Sequence, residues 1–269
     1  MRTDTLFRRY EIFVGAATIA AHANSAEEGF RQRDVRFLIE LFTNWVEHSI
    51  EGGILSVKNT QVLRYLEELV TEGFAKKTRK QKQPKYRLTR VGLLELMNRL
   101  SSRSSGGPEH FFFLLYFLSN YGPKISELIR TESSQFPIGV RLEIEILLDW
   151  KRLLKEEIVK TERELRKLSE RVETSQRSTR LAAKLFAKGA DISEVVGEIE
   201  KNYPYQLNSQ KPLSELFAGI PTDITRWELE TGGMKRIEQI WFPARTILSA
   251  YLHSLKQFEQ SMLKDKRSI

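Results

Sequence analysis

Apolar residues recur at helical spacing from Leu6 to about Ala23, so the chain opens on an amphipathic helix with one face to bury. A second helix is predicted from Asp34 to about His48 by Phe37, Leu38, Leu41, Phe42, Trp45 and Val46, with Asp34 at its start. Gly52 and Gly53 break the pattern, and Ser56 begins a third helical stretch with Val57, Val62, Leu63, Leu66, Leu69 and Val70 on its apolar side. Asn59 and Thr60 are alternative caps to Ser56. Gly73 is placed to end this helix in a left-handed conformation. Beyond it, Phe74 to Thr78 and Tyr86 to Thr89 suit two short strands around a turn at Lys80 to Lys85, and Thr89 caps a fourth helix from Arg90 to about Leu100.

The stretch Ser-Ser-Arg-Ser-Ser-Gly-Gly from Ser101 to Gly107 offers little side-chain packing, and the domain boundary is expected there, between residues 1–104 and 105–269. The second part reads as helical throughout. Gly122 and Pro123 are expected to interrupt the apolar segment that starts at Pro108. A long charged helix follows Pro137 to about Gln176, with Ile144, Leu147, Leu154, Ile158, Leu165, Leu168 and Val172 in a heptad rhythm. Shorter helices are expected near Ser178 to Ala187 and Ile192 to Lys201. Ile237, Trp241, Ala244, Leu248, Tyr251, Leu255, Phe258 and Met262 keep a cleaner rhythm, with Pro243 marking a kink or a fresh start. Two such helices can pair within one chain or across a dimer.

Charge changes this picture. The 269 residues carry a formal net charge of +8, but residues 1–105 hold 18 basic and 12 acidic side chains while 106–269 hold 25 and 23. Eight of the cations fall between Lys76 and Arg90, where no acid interrupts them. A field of that density attracts polyanions, of which nucleic acid is the commonest in a cytosol. No apolar run reaches the ~18–20 residues of a membrane span. Arg8, Arg9 and the apolar run Ile12 to Ala21 imitate a secretory signal, but Asp4 and Glu11 stand where it should be positive, so a packed helix is the better reading. The absence of cysteine removes disulfides, thiolate metal sites and a cysteine nucleophile, and fits a reducing cytoplasm.

The run Val62-Leu-Arg-Tyr-Leu-Glu-Glu-Leu-Val-Thr-Glu-Gly-Phe, the basic turn, and then Tyr86-Arg-Leu-Thr-Arg-Val-Gly-Leu-Leu-Glu-Leu96 together resemble the recognition helix and wing of winged helix-turn-helix transcription regulators of PadR and MarR type. The resemblance covers about residues 34–100. It implies a mainly α fold: an N-terminal winged helix with a small β-hairpin wing, followed by an all-α region of long coiled-coil-like helices. A family of this type usually places a short helix before the recognition helix, a role that the helix from Asp34 would fill.

On that frame the DNA-binding candidates sort by chemistry. Asn59 and Gln61 carry the paired donor and acceptor that suit adenine, Arg64 the fork that suits guanine, and Lys58 suits phosphate, with Tyr65 beside them. In the wing Lys80 and Lys82 are the foremost phosphate or minor-groove contacts, flanked by Lys77, Arg79 and Lys85. Four such contacts would give a log–log salt slope of roughly −3.5. The expected partners are double-stranded DNA and a second copy of the chain, whose dimer would set the half-site spacing. A small-molecule or protein effector could act on the helical part, with Phe111, Phe112, Phe113, Tyr116, Phe117, Trp150, Trp227 and Trp241 as candidate pocket residues. The four scattered histidines show no metal-ligand spacing and no phosphate-binding glycine loop occurs, so neither an enzyme, a metal nor a cofactor is expected. The many Glu–Lys and Glu–Arg spacings between Glu143 and Glu173 read as a helix that pairs its own charges. The rival to a regulator is a protein-interaction module or scaffold, or a DNA binder without sequence preference.

Overall fold

The computed structural model describes residues 11–25, 28–45, 57–78, 84–102, 108–132, 136–203 and 212–264. The fold is mainly helical, with one small two-stranded antiparallel sheet. Two compact units divide the chain, Met1–Leu153 and Leu154–Ile269. The division falls beyond the expected 104/105 boundary because the helices after the serine-rich stretch share the first unit's core.

In the first unit α1 (Glu11–Ser25) buries Phe13, Val14, Ala16, Ala17, Ile19 and Ala20. α2 (Gln32–Trp45) follows, and the Asp34 carboxylate accepts the Arg31 backbone N–H at 2.7 Å to close its first turn. α3 (Asn59–Thr71) starts later than expected: Lys58 holds the cap position, and the Gln61 side chain accepts the Lys58 N–H at 3.0 Å. Ser56 lies outside the described residues, and Val57 is buried ahead of the helix. Gly73, with φ of 77°, ends α3 as its position foretold, since only glycine takes that conformation without strain.

The chain then forms β1 (Ala75–Thr78) and β2 (Lys85–Leu88), paired with Ala75 opposite Leu88 and Thr78 opposite Lys85. A further single-residue bridge joins Phe30 to Tyr86, with reciprocal backbone hydrogen bonds of 2.9 and 2.8 Å. Gly29, with φ of 79°, permits it, because a Cβ there would lie 2.9 Å from the Tyr86 carbonyl oxygen. Thr89 caps α4 (Arg90–Ser101) as expected: its hydroxyl accepts the Gly92 N–H at 3.1 Å and donates to the Gly73 carbonyl at 2.9 Å.

α5 (Pro108–Thr131) runs unbroken through Pro123, contrary to the expected interruption. The one backbone bond that proline removes is outweighed by apolar burial on both sides, of Phe113, Leu115, Phe117 and Leu118 before it and Ile125, Leu128 and Ile129 after it. Phe113 and Phe117 of α5 make core, whereas Tyr116 is exposed: Phe42 of α2 meets Phe113, Phe117 and Tyr121 edge-on at centroid distances of 5.6 to 5.7 Å. α6 (Ile138–Leu148) completes this unit.

The long helix expected after Pro137 is two helices, because Asp149 turns out of helical geometry and its carboxylate accepts the Arg152 N–H at 3.1 Å as the start of α7 (Trp150–Phe186). α7 then absorbs the separate helix expected near Ser178. At its far end Ala182 and Phe186 pack with Val195, Val196 and Ile199 of α8 (Ile192–Asn202), whose Asp191 cap is matched by Glu194 in a reciprocal capping box. After the short α9 (Leu213–Leu216) the chain is helical from Thr222 to Lys264. That rod comprises α10 (Thr222–Trp227), a π turn at Glu228–Gly232, α11 (Gly233–Arg236), a π turn at Ile237–Trp241 and α12 (Phe242–Lys264), with Pro243 in the first turn of α12.

The rod runs against α7 within the same chain. Gly233 sits against Ser175 and Thr179, whereas Tyr251 donates to Glu157 at 3.4 Å and Lys256 pairs with Glu162 at 2.7 Å. From Gly233 to Tyr251 the partners on α7 move back from Ser175 and Thr179 to Glu157, so the two run antiparallel. The heptad positions Leu154, Ile158 and Val172 on α7 and Ile237 and Leu255 on the rod are buried, which places the seam inside one chain. No described helix is long and apolar enough to cross a membrane.

Candidate nucleic-acid interface

Helix α3 packs through Val62, Leu66 and Leu69, all buried, and this fixes what points outward. Lys58, Asn59, Thr60 and Arg64 are exposed, and the first two turns carry no acid. Arg64 takes part in no ion pair among the described residues. Asn59 keeps a partner from the preceding helix: Arg36 of α2 donates to its Oδ1 at 3.4 Å while also pairing with Glu40. Gln61 is half-buried with its side-chain oxygen engaged at the helix start, and Tyr65 packs against the core. The five candidates on this helix therefore separate into three outward residues and two that serve the helix itself.

The second half of α3 has the opposite charge, with Glu67 and Glu68 in it and Glu72 just past its end. Glu67 is the junction between helix and hairpin. Its Oε1 accepts from Lys77 Nζ at 2.5 Å and from the hydroxyl of the buried Tyr86 at 2.7 Å, so one carboxylate joins α3 to β1 and β2. The Lys77 hydrogen bond, with that of Tyr86, holds the Glu67 carboxyl below the usual carboxylate range. Burial, then Glu67, pushes the Tyr86 hydroxyl well above its ordinary value.

Lys85 is engaged likewise, at 2.9 Å from Glu28. Arg87 pairs with Glu132 at the end of α5, anchoring β2 from the other side. Two of the five hairpin candidates, Lys77 and Lys85, are thus held in intramolecular ion pairs; Arg79, Lys80 and Lys82 lie outside the described residues. Lys76 is exposed on β1. No known family, curated protein or solved structure matches the chain. Its chemistry must be read from its own residues.

Sequence reasoning missed Arg36, Glu67 and Phe30. Arg36 and Asn59 are brought together only by the packing of α2 on α3, and Glu67 reads as one more solvated acid until the hairpin folds onto it. A one-residue bridge leaves no periodicity, and the only local trace of Phe30's role is the glycine before it. Among the described residues no group of three or more His, Asp or Glu is placed to hold a metal ion.

Proposed function

We propose that the chain is a sequence-specific double-stranded DNA-binding regulator whose first unit works as a winged helix-turn-helix, with α3 in the major groove and the β1–β2 turn along the backbone. The observation that carries this reading is the acid-free, outward-facing start of α3 beside a hairpin tied to its third turn through Glu67. The element order also supports it: α1, the Phe30 bridge, α2, α3, two strands and α4 follow one another as a winged helix requires. Arg64 is the foremost base reader, with Asn59 beside it and Lys58 at phosphate. The acids of the later turns confine the contact to the N-terminal half, where recognition helices meet base edges.

Lys77 and Lys85 are each neutralised by a carboxylate, so the salt dependence contributed by the hairpin falls below that of five free cations. A two-fold dimer remains part of the proposal, on faces other than the α7 seam, which the chain fills itself. Selection from random duplexes by the full chain tests the reading. An enriched sequence should emerge, and Arg64→Ala should lower discrimination at one position by about 1–3 kcal/mol. Binding without enrichment, or enrichment that Arg64→Ala leaves intact, refutes it.

A further inference from the structure

Helix α7 carries eleven Lys and Arg against six Glu. A helix of that composition ordinarily pairs its charges along its own surface. Arg177 and Glu173 pair in that way at 3.3 Å, whereas nearer the start of the helix the rod engages two of the acids. Glu157 is buried and receives Tyr251, and Glu162 is taken across the seam by Lys256. Lys155, Lys160, Arg163, Arg166, Lys167 and Arg171 are exposed, and none of them forms an ion pair among the described residues. Glu156, Glu164 and Glu170 are the other exposed acids of this stretch, three against these six cations.

Position on the helix orients the charge. The buried residues Leu154, Ile158, Thr161 and Val172 define the inner side, and at 100° per residue Arg163, Arg166 and Lys167 fall on the opposite side, with Glu156 and Glu170 among them. Lys155 to Arg171 spans about 24 Å at 1.5 Å per residue, the axial length of roughly seven phosphates on one strand of a duplex. Three of the six are arginines, whose planar forks match phosphate oxygens two at a time. Val159 is the one large apolar side chain exposed between them, and the face holds no aromatic residue. It therefore lacks the stacking platform of a single-strand binder and the apolar stripe of a membrane-surface helix.

We infer that the outer face of α7 from Lys155 to Arg171 is a second nucleic-acid surface, which holds the phosphate backbone of a duplex without reading its bases. The inference is independent of the function proposed for the first unit. It is tested on the full chain with Arg163→Ala, Arg166→Ala, Lys167→Ala and Arg171→Ala combined, substitutions that favour the helix and whose folding circular dichroism checks. A control of equal charge replaces Lys201, Lys235, Arg236 and Arg245 with alanine, all exposed and outside this face.

Affinity for a random-sequence duplex is followed over roughly 50 to 300 mM salt. The four α7 substitutions should flatten the log–log slope by about 3.6, from ~0.9 per phosphate contact, and the control should change it by less than one contact. A change below about 0.9 in the α7 variant, or equal flattening in both variants, overturns the inference. So does binding of the intact chain to phosphatidylserine vesicles without binding to duplex. Arg64→Ala, run in parallel on selected sequences, reports on the first unit alone, so failure of either surface is seen separately.

Discussion

His22 is 1% exposed in the core between α1 and the Phe30 bridge, and neither of its ring nitrogens has a hydrogen-bond partner. Burial, with the nearby Arg87 guanidinium, lowers its pKa from 6.5 to about 4. The folded protein therefore holds this imidazole neutral where the unfolded chain protonates it. Because the folded value is the lower one, stability is intact above about pH 6.5 and is lost as pH falls towards 4. Linkage between those two values gives a loss of about 2 kcal/mol between pH 8 and pH 5, and at most about 3.4 kcal/mol at lower pH. For a unit of this size 2 kcal/mol corresponds to roughly 4–8 °C in Tm.

The perturbation is His22→Leu, which replaces an unsatisfied polar ring among apolar neighbours. Scanning calorimetry of both proteins at pH 8 and pH 5, fitted for the transition of the first unit, isolates the effect. Other titrating groups contribute equally to both proteins and cancel in the difference. The variant should lose about 2 kcal/mol less than the parent on acidification, and it should not be less stable at pH 8. Equal pH dependence in the two proteins would refute the argument, whatever their absolute stabilities.

Two substitutions probe close packing. A Cβ at Gly92 would overlap the Phe74 carbonyl group, which is backbone and cannot turn aside, so Gly92→Ala should displace the start of α4 and lower the first unit's stability by several kcal/mol, about 3 or more, read by thermal melting. At Gly233 a Cβ would stand 2.5 Å from Thr179 Oγ1 and 2.9 Å from Ser175 Oγ, both side-chain atoms. Gly233→Ala should therefore cost about 1–3 kcal/mol, and Thr179→Ala should recover part of that in the double variant; additive losses would exclude direct contact.

The helices of the first unit up to α4 were legible because each has an apolar face of clear period, and the turns between them because Gly73 and Thr89 act within a few residues of themselves. Heptad spacing also located the seam positions of α7 and the C-terminal rod. The period is silent on the partner, and the pairing of Glu157 with Tyr251 and of Glu162 with Lys256 places that seam within the chain. Local rules misread Pro123 and Ser178, where burial over several helical turns outweighs one lost bond or a run of polar residues.

In the candidate site, residue chemistry and helical phase together marked Lys58, Asn59 and Arg64, since exposure on α3 follows from which positions are apolar. Tertiary structure decided which charges stay uncommitted. Lys77 and Lys85 read as free cations until Glu67 and Glu28 meet them from ten and fifty-seven residues away, and Glu157 and Glu162 read as partners for the cations of their own helix until Tyr251 and Lys256 engage them. Charge and amphipathic period are properties of neighbouring residues along the chain. Ion pairing across elements depends on distances that exist only once the core has set which faces meet.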